Sequence, residues 1–238
     1  MHVYRQLTSI AAITFDLDDT LYDNRPVIAK TEQELLNFIR CYDDRFNKLQ
    51  FADLKNYQTL IVNQYPEIYH DVTQWRWLAV KALLCQYGYD REGSAGGADD
   101  IMAHFSYWRS QIVVPDVTHK ILSTLAEKFP LAVITNGNAD PYACGLGDYF
   151  QFVLKAGPDG RAKPFSDMYY LAAQKFNIVV DKILHVGDDL TTDIQGAIHS
   201  GMQACWINTN SSNLLATNEN DILPHIEITG LASLIALI

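Results

Sequence analysis

The sequence predicts an α/β fold: a Rossmann-like parallel sheet with helices on both faces, carrying an inserted all-helical cap domain. Three observations predict it. From about residue 111 onward, short apolar runs with β-branched members alternate with amphipathic helical segments, as in strand–helix–strand crossovers. One further strand-like run, residues 10–15, stands alone near the N-terminus. Between residues 23 and 110 no strand pattern of any length occurs, only helical periodicity. The expected organisation is a core of residues 1–22 and 111–238, with the helical cap, residues 23–110, inserted after the first strand. That insertion far exceeds the roughly 2 to 6 residues of an ordinary strand-to-helix loop. Leaving from the carboxyl end of a parallel strand, it would emerge at the edge where such sheets bind ligands.

Residues 10–15 read as a strand buried on both faces, and Asp16, Asp18 and Asp19 follow at once. In an extended chain Asp16 and Asp18 point one way and Asp19 the other. Two carboxylates converging where a buried strand ends repel each other, and a bound cation is one remedy. A solvated acidic turn capping a helix is the other reading of these residues alone. Pro26 suits a first helical turn, and Val27, Leu35, Leu36 and Ile39 form an apolar stripe down to Cys41. A second helix fits residues 51–64, with Tyr65-Pro66 as its stop. A third starts at Asp71 as N-cap and runs through Trp75, Leu78, Ala82 and Cys85 to Gly88. Residues 93–100, GSAGGADD, read as a loop or helix start before a fourth helix ending near Arg109.

Val113-Val114-Pro115 reads as a connector, and Asp116 caps a helix through Ile121, Leu125 and Phe129. Residues 131–134 are a strand leading into Thr135-Asn136-Gly137. A helix, a short strand at 152–154 and a loop at 155–164 follow, and Ser166 opens a helix to Phe176. Residues 183–186 are a strand running straight into Gly187-Asp188-Asp189; residues 192–201 are helical, and 204–207 are the last clear strand.

Composition narrows the function. Of 238 residues 48% are apolar and 19% charged, enough for a sizeable core and too few charges for disorder. Acids outnumber bases 28 to 18, a formal charge of −10, which argues against a nucleic-acid partner. The four cysteines, Cys41, Cys85, Cys144 and Cys205, lie far apart without a CxxC pair and read as small buried hydrophobes in a reducing compartment. The N-terminus lacks the pattern of a signal peptide and no apolar run reaches membrane-spanning length, so the expectation is a cytoplasmic protein without a membrane partner. Monomer and dimer are equally compatible with the sequence. The phosphate-loop patterns GxxxxGK[ST] and GxGxxG are absent.

Three apolar strands end in polar groups at their carboxyl ends, into Asp16, Thr135 and Gly187-Asp188, and in a parallel sheet those ends share one edge. Lys163 follows another strand through a loop. The set Asp16-Leu17-Asp18-Asp19-Thr20, Thr135-Asn136, Lys163-Pro164 and Gly187-Asp188-Asp189 through Asp193 resembles the four signature motifs of the haloacid-dehalogenase superfamily of phosphohydrolases, in order. The helical insertion resembles that superfamily's first type of cap, and the likeness spans nearly the whole chain.

The resemblance implies roles. Asp16 would be the nucleophile that forms an aspartyl-phosphate, and Asp18 the general acid and then base. Mg2+ would be held by Asp16, the backbone carbonyl of Asp18, and Asp188. Thr135, Asn136 and Lys163 would bind the phosphoryl group, and Asp193 would support the metal ligands from behind. Each has a bland rival. Taken alone, Thr135 reads as bonding its own backbone, Lys163 as an ordinary loop lysine, and Asp188 or Asp189 as a cap for the next helix; Asp189 reads as a bystander. Gly157-Pro158-Asp159-Gly160 would turn the chain to aim Lys163, with Arg161 as a possible helper.

The dehalogenases that gave the superfamily its name lack a second aspartate two residues after the first, so Asp18 favours a phosphatase acting on a small phosphorylated metabolite. Further stretches, FDLDDTLYDNRPVIAKTE, PEIYHDVTQWR, GPDGRAKPFSDMYYLAA and LHVGDDLTTDIQGAIHSGMQACWI, resemble bacterial phosphatases of riboflavin synthesis. Those act on flavin mononucleotide and 5-amino-6-(5-phospho-D-ribitylamino)uracil. Other small substrates, such as a sugar phosphate, phosphoglycolate or a nucleotide, and a non-catalytic phospholigand-binding relative, are the alternatives. In the cap, Tyr65, Tyr69, His70, Trp75, Arg76 and Trp77 offer aromatic faces beside a cation for a flat ring. At helical spacing, most such residues are core.

Overall fold

A computed structural model describes residues 1–209 and 222–238. Its centre is a seven-stranded sheet of β1 (His2–Val3), β2 (Ala12–Phe15), β3 (Leu131–Thr135), β4 (Phe152–Lys155), β5 (Ile183–Gly187), β6 (Gln203–Ile207) and β7 (Ile226–Ile228). The strand order is β1-β7-β6-β5-β2-β3-β4, parallel throughout except for β1 against β7. The central strands β2, β3, β5 and β6 are buried along their whole length, which is why they read as continuous apolar runs rather than alternating ones. The crossover helices α5 (Asp116–Ala126) and α6 (Asp167–Phe176) are joined by the short α7 (Gly196–His199), which a π-helical turn, Leu190–Gln195, precedes. Met168, Tyr169 and Ala172 of α6 pack with Ile134, Leu154 and Ile183 of the sheet in one buried cluster.

The chain divides into two compact units. The sheet unit comprises residues Met1–Asp23, Val113–Gly137 and Pro141–Ile238; the second comprises Asn24–Ile112 with Asn138–Asp140. The second unit is helical: α1 (Arg25–Tyr42), α2 (Phe51–Gln64), α3 (Val72–Gln86) and α4 (Arg91–Arg109). Its core gathers Leu35, Ile39, Phe46, Leu54, Val80, Leu83, Leu84, Ile101 and Phe105. The Asp71 carboxylate caps α3 by accepting from the amides of Thr73 and Gln74, and Gly88 turns the chain beyond its end at φ 88°.

Several expectations are corrected. Residues 93–100 are helical, the second of the two readings, though the start lies slightly earlier: α4 begins at Arg91, and Asp90 caps it by accepting from Gly93 N at 2.8 Å. Glycine propensity is overridden there by packing, since a Cβ at Gly97 would sit 2.9 Å from Leu84 Cδ1 and 3.3 Å from Tyr42 Oη. The helix expected between β3 and β4 is replaced by turns and a 3₁₀ segment, Gly147–Tyr149. Pro141 and the left-handed Gly145 (φ 77°) punctuate that stretch. Helix α5 stops at Ala126 rather than Phe129, and the segment expected to be helical from 192 starts earlier as the π turn. The last strand is β7, not β6; at three residues for β7 and two for β1, neither is long enough to carry a periodic signal. Of the cysteines only Cys205 is buried, while Cys41 and Cys85 are exposed. No helix among the described residues is long and apolar enough to cross a membrane.

The neighbouring glycines of α4 make a paired test. A Cβ at Gly96 meets nothing within 4 Å, so Gly96→Ala should stabilise by about 1 kcal/mol through helix propensity alone. Gly97→Ala should yield no such gain, because Leu84 and Tyr42 must move. Urea denaturation of both variants checks this, and equal gains would contradict the packing reading.

Candidate active site

The carboxyl ends of β2, β3 and β5, with the loop after β4, bring the sequence-predicted residues together. Asp16, Asp18, Thr135, Asn136, Lys163, Asp188 and Asp193 line one open cleft of about 200 Å3 together with Asp19, Gly137, Asp189 and Thr192. All belong to the sheet unit.

The cleft is built around one ammonium group. Lys163 Nζ donates to Asp16 Oδ1 and to Asp193 Oδ1, each at 2.6 Å, with all three side chains buried. Burial alone would lower the lysine pKa, but the two carboxylates more than offset it and hold the group charged. Asp193 is the better satisfied acid: its Oδ1 also receives His185 Nε2 at 3.2 Å and its Oδ2 the amide of Asp189 at 3.1 Å. Although burial opposes it, Lys163 and His185 keep Asp193 well below the usual carboxylate range. Burial pushes Asp16 the other way, and the charges of Asp193 and Asp18 add to the rise against the pull of Lys163.

Local structure explains the placement. The ladder carries through Asp16, whose amide donates to Val186 O at 2.9 Å, and the chain then turns instead of staying extended. Asp19 adopts φ 58°, a left-handed conformation that Asp tolerates better than most residues. Within that turn Tyr22 Oη donates to Asp18 Oδ1 at 2.7 Å, and Thr20 Oγ1 to Asp188 Oδ1 at 3.2 Å. Lys163 is aimed by a reciprocal clasp: Asn136 Nδ2 donates to Lys163 O at 3.0 Å, and Lys163 N to Asn136 Oδ1 at 2.7 Å. The Asn136 side chain therefore holds the lysine backbone. Thr135 Oγ1 accepts from Gly137 N at 2.9 Å, the local bond that its bland reading described. Asp189 caps the following turn by accepting from the amides of Thr191 and Thr192. Arg161 does not assist Lys163; it forms an ion pair with Asp167 at 2.6 Å and lies over Phe165.

Sequence reasoning passed over Thr14, Tyr22, His185 and Trp206, which hold the site from beneath. Thr14 and His185 are polar residues inside buried strands and paired in register, a signal the apolar reading of those runs discarded. Trp206 Nε1 donates to Asp188 O at 2.7 Å from the neighbouring strand.

One carboxylate oxygen each from Asp16, Asp188 and Asp193 lies within 4.8 Å of the others. An all-oxygen set at that spacing suits a hard divalent cation. Asp193 already accepts three donors, so Asp16 and Asp188 are the ligands with capacity to spare. Charge balance points the same way, since a single lysine faces six acids in the cleft, Asp16, Asp18, Asp19, Asp188, Asp189 and Asp193.

Burial, with Asp193 close by, pushes the Asp188 carboxyl up to about 7. Its folded pKa thus lies above its ordinary value, so its contribution to stability is full below about pH 4 and is lost as pH rises through 7. In excess chelator, Asp188→Asn should therefore gain on wild type between pH 5 and 7.5. After discounting for partial exposure, the gain should be about 2–4 °C in Tm, or about 1 kcal/mol at this chain length. Thermal melts across that range check it; a difference independent of pH would contradict the shift.

Comparison with known proteins agrees with this geometry. A family profile described as a haloacid dehalogenase-like hydrolase matches residues 10–201. Over 238 residues, 100% of each chain, the protein is 54% identical to the 5-amino-6-(5-phospho-D-ribitylamino)uracil phosphatase YigB of Escherichia coli (strain K12). It is 24% identical to the N-acylneuraminate-9-phosphatase of Homo sapiens, covering 98% of this chain and 95% of that one. Among solved structures, the 2-haloacid dehalogenase from Pseudomonas syringae pv. Tomato DC3000 superposes with a TM-score of 0.90 at 32% identity, covering 96% and 97% of the two chains. A cleft lined by six acids and one lysine at the carboxyl ends of the strands, and a profile match across most of the length, lead to one conclusion: the chain belongs to the haloacid dehalogenase-like hydrolases.

Proposed function

We propose that this hydrolase is a Mg2+-dependent phosphomonoesterase that works through an aspartyl-phosphate on Asp16. We further propose flavin mononucleotide and 5-amino-6-(5-phospho-D-ribitylamino)uracil as its substrates. The reaction rests on Asp18, a second carboxyl two residues after Asp16 that lines the same cleft and is steadied by Tyr22. The substrate rests on the 54% identity with the Escherichia coli phosphatase over the whole chain.

In this reading a carboxylate oxygen of Asp16 attacks phosphorus while Lys163 holds its Oδ1. The bond from phosphorus to the ester oxygen breaks, and Asp18 gives the departing alkoxide a proton. Asp18 then takes a proton from water as that water attacks phosphorus, which frees inorganic phosphate and restores the Asp16 carboxylate. Bound by Asp16, Asp188 and the Asp18 carbonyl, Mg2+ would supply charge against the nucleophile–phosphate repulsion, about 4 kcal/mol per unit-charge pair at ~4 Å and an effective dielectric of ~20. Thr135 and the amides of Asn136 and Gly137 would hold phosphoryl oxygens, and Asp193 keeps Lys163 in place.

The core grips only what every phosphate ester shares, so the helical block inserted after β2 would act as a cap and discriminate leaving groups. Its aromatics divide by their bonding. Trp75 Nε1 donates to Gln58 O and Trp77 Nε1 to Asp99 Oδ1, each at 2.7 Å. Arg76 lies 4.0 Å over Phe105, and His70 is buried. These four serve the helical unit itself. Tyr65 and Tyr69, at 51% and 42% exposure, are the rings with free surface for a ligand.

A second reading has an observation in its favour, because a structural neighbour at 32% identity is a 2-haloacid dehalogenase. A screen of phosphate esters with Mg2+ or excess chelator, beside chloride release from 2-chloropropionate, separates the two. Metal-dependent release of phosphate is expected; chloride release without phosphatase activity would overturn the proposal.

Two substitutions should separate the acids. Asp16→Asn should abolish both phosphoenzyme and turnover with the fold intact. Asp18→Asn should still form phosphoenzyme from esters with good leaving groups and stall at its hydrolysis, as rapid-quench trapping would reveal. Tyr69→Ala should raise KM for the two ring-bearing substrates about fivefold, one stacking contact of about 1 kcal/mol. p-Nitrophenyl phosphate should change much less. Equal effects on all three esters would remove Tyr69 from substrate recognition.

A further inference from the structure

Beneath the cleft lies a histidine that the proposed reaction does not use. His185 sits on β5 two residues before Gly187, so both face the same side of the strand. Asp193 lies over that face. A Cβ at Gly187 would come within 2.3 Å of Asp193 Cγ, while His185 Nε2 meets Asp193 Oδ1 at 3.2 Å. On its other side His185 Nδ1 meets Thr14 Oγ1 at 2.9 Å, and Thr14 is its register partner on β2. The edge of Tyr169 closes the ring in at 5.2 Å, and both His185 and Thr14 are fully buried.

The bonding fixes the tautomer. A carboxylate can only accept, so Nε2 carries the hydrogen given to Asp193. Burial favours the neutral imidazole, which leaves Nδ1 bare and makes the Thr14 hydroxyl its donor. The same Asp193 oxygen that receives Nε2 also receives Lys163 Nζ at 2.6 Å. A continuous chain of donors and acceptors therefore runs from the centre of the sheet, Thr14 to His185 to Asp193 to Lys163, and ends on Asp16 Oδ1.

We propose that His185 is a positioning residue. Through Asp193 it fixes the Lys163 ammonium against the nucleophile Asp16, and Thr14 fixes the tautomer that lets it do so. This deepens the phosphatase reading and rests on it for the consequence in turnover, though the tether is a property of the fold. Without the Nε2–H donor, Asp193 keeps the Asp189 amide on Oδ2 but loses the bond that orients Oδ1, and the lysine's place between the two acids loosens. In the proposed reading Lys163 holds the nucleophile while Thr135 and backbone amides take the phosphoryl oxygens, so the loss falls on the chemical step.

The test uses the full chain with His185→Leu, His185→Gln and Thr14→Val. Glutamine carries an N–H donor where the imidazole Nε2 stands, and leucine fills the space without one. With p-nitrophenyl phosphate and Mg2+, His185→Leu should lower kcat about 10- to 100-fold with KM little changed, and His185→Gln should recover most of it. Thr14→Val should give a smaller loss in the same direction. Independently of turnover, the imidazole 15N resonances that vanish in His185→Gln should carry the Nε2–H signature in the wild type, and Nδ1, without its hydroxyl donor, should move downfield in Thr14→Val. Wild-type kcat in His185→Leu, a loss carried by KM, glutamine as impaired as leucine, or an Nδ1–H signature would each overturn the tether. Should His185→Leu fail to fold, the glutamine and valine variants and the 15N spectra decide. A wild type that hydrolyses no phosphate ester overturns the phosphatase reading instead, while the spectra still judge the tether.

Discussion

A buried ammonium held between two buried carboxylates is the constraint on which the rest of this structure depends. Lys163, Asp16 and Asp193 are withdrawn from water almost completely, and removing a charge from water is tolerated only when its partners are placed to compensate. Every feature of the cleft can be traced to that requirement. Asn136 clasps the lysine backbone. The amide of Asp189 and the imidazole of His185 complete the Asp193 carboxylate, and Gly187 leaves room where any side chain would collide with it.

The same constraint divides the acids into two kinds. Asp193 is saturated with donors and stays ionised, a fixed counter-charge rather than a reagent. Asp16 and Asp188 are under-compensated, one raised by burial beside other acids and the other pushed up to about 7. Groups left in that state are poised for a cation and for a reaction, which is why perturbed carboxyls gather at functional sites. Asp18 differs again, since it leans on a tyrosine hydroxyl within its own turn. These four acids of the cleft thus acquire distinct chemistry from their neighbours alone.

Resemblance and geometry bear on different parts of the conclusion. The family follows from a profile spanning residues 10–201 and the motif residues within it. In the proposed reading the helical unit would select the substrate, and there bonding already removes residues that look suggestive in one dimension. Trp75, Trp77 and Arg76 are committed to that unit's own helices, whereas Tyr65 and Tyr69 keep exposed rings.

What the sequence by itself determined was set by local and periodic physics. Central strands buried on both faces must be apolar throughout, so β2, β3, β5 and β6 announced themselves, and the acids and the threonine had to follow where those runs stop. The long helical periodicity after β2 was equally plain, as was the N-cap at Asp71. Tertiary structure decided whatever depends on partners distant in the chain. Helix α4 carries a glycine at 97 because Leu84 and Tyr42 pack closely there. Strands β1 and β7, of two and three residues, exist only because a neighbouring strand pairs with them. That Asn136 would serve the Lys163 backbone, that Arg161 would turn to Asp167, and that Thr14 and His185 would brace Asp193 from beneath are pairings between separate strands and loops. Sequence spacing carries no distance between such residues; the register of the folded sheet supplies it.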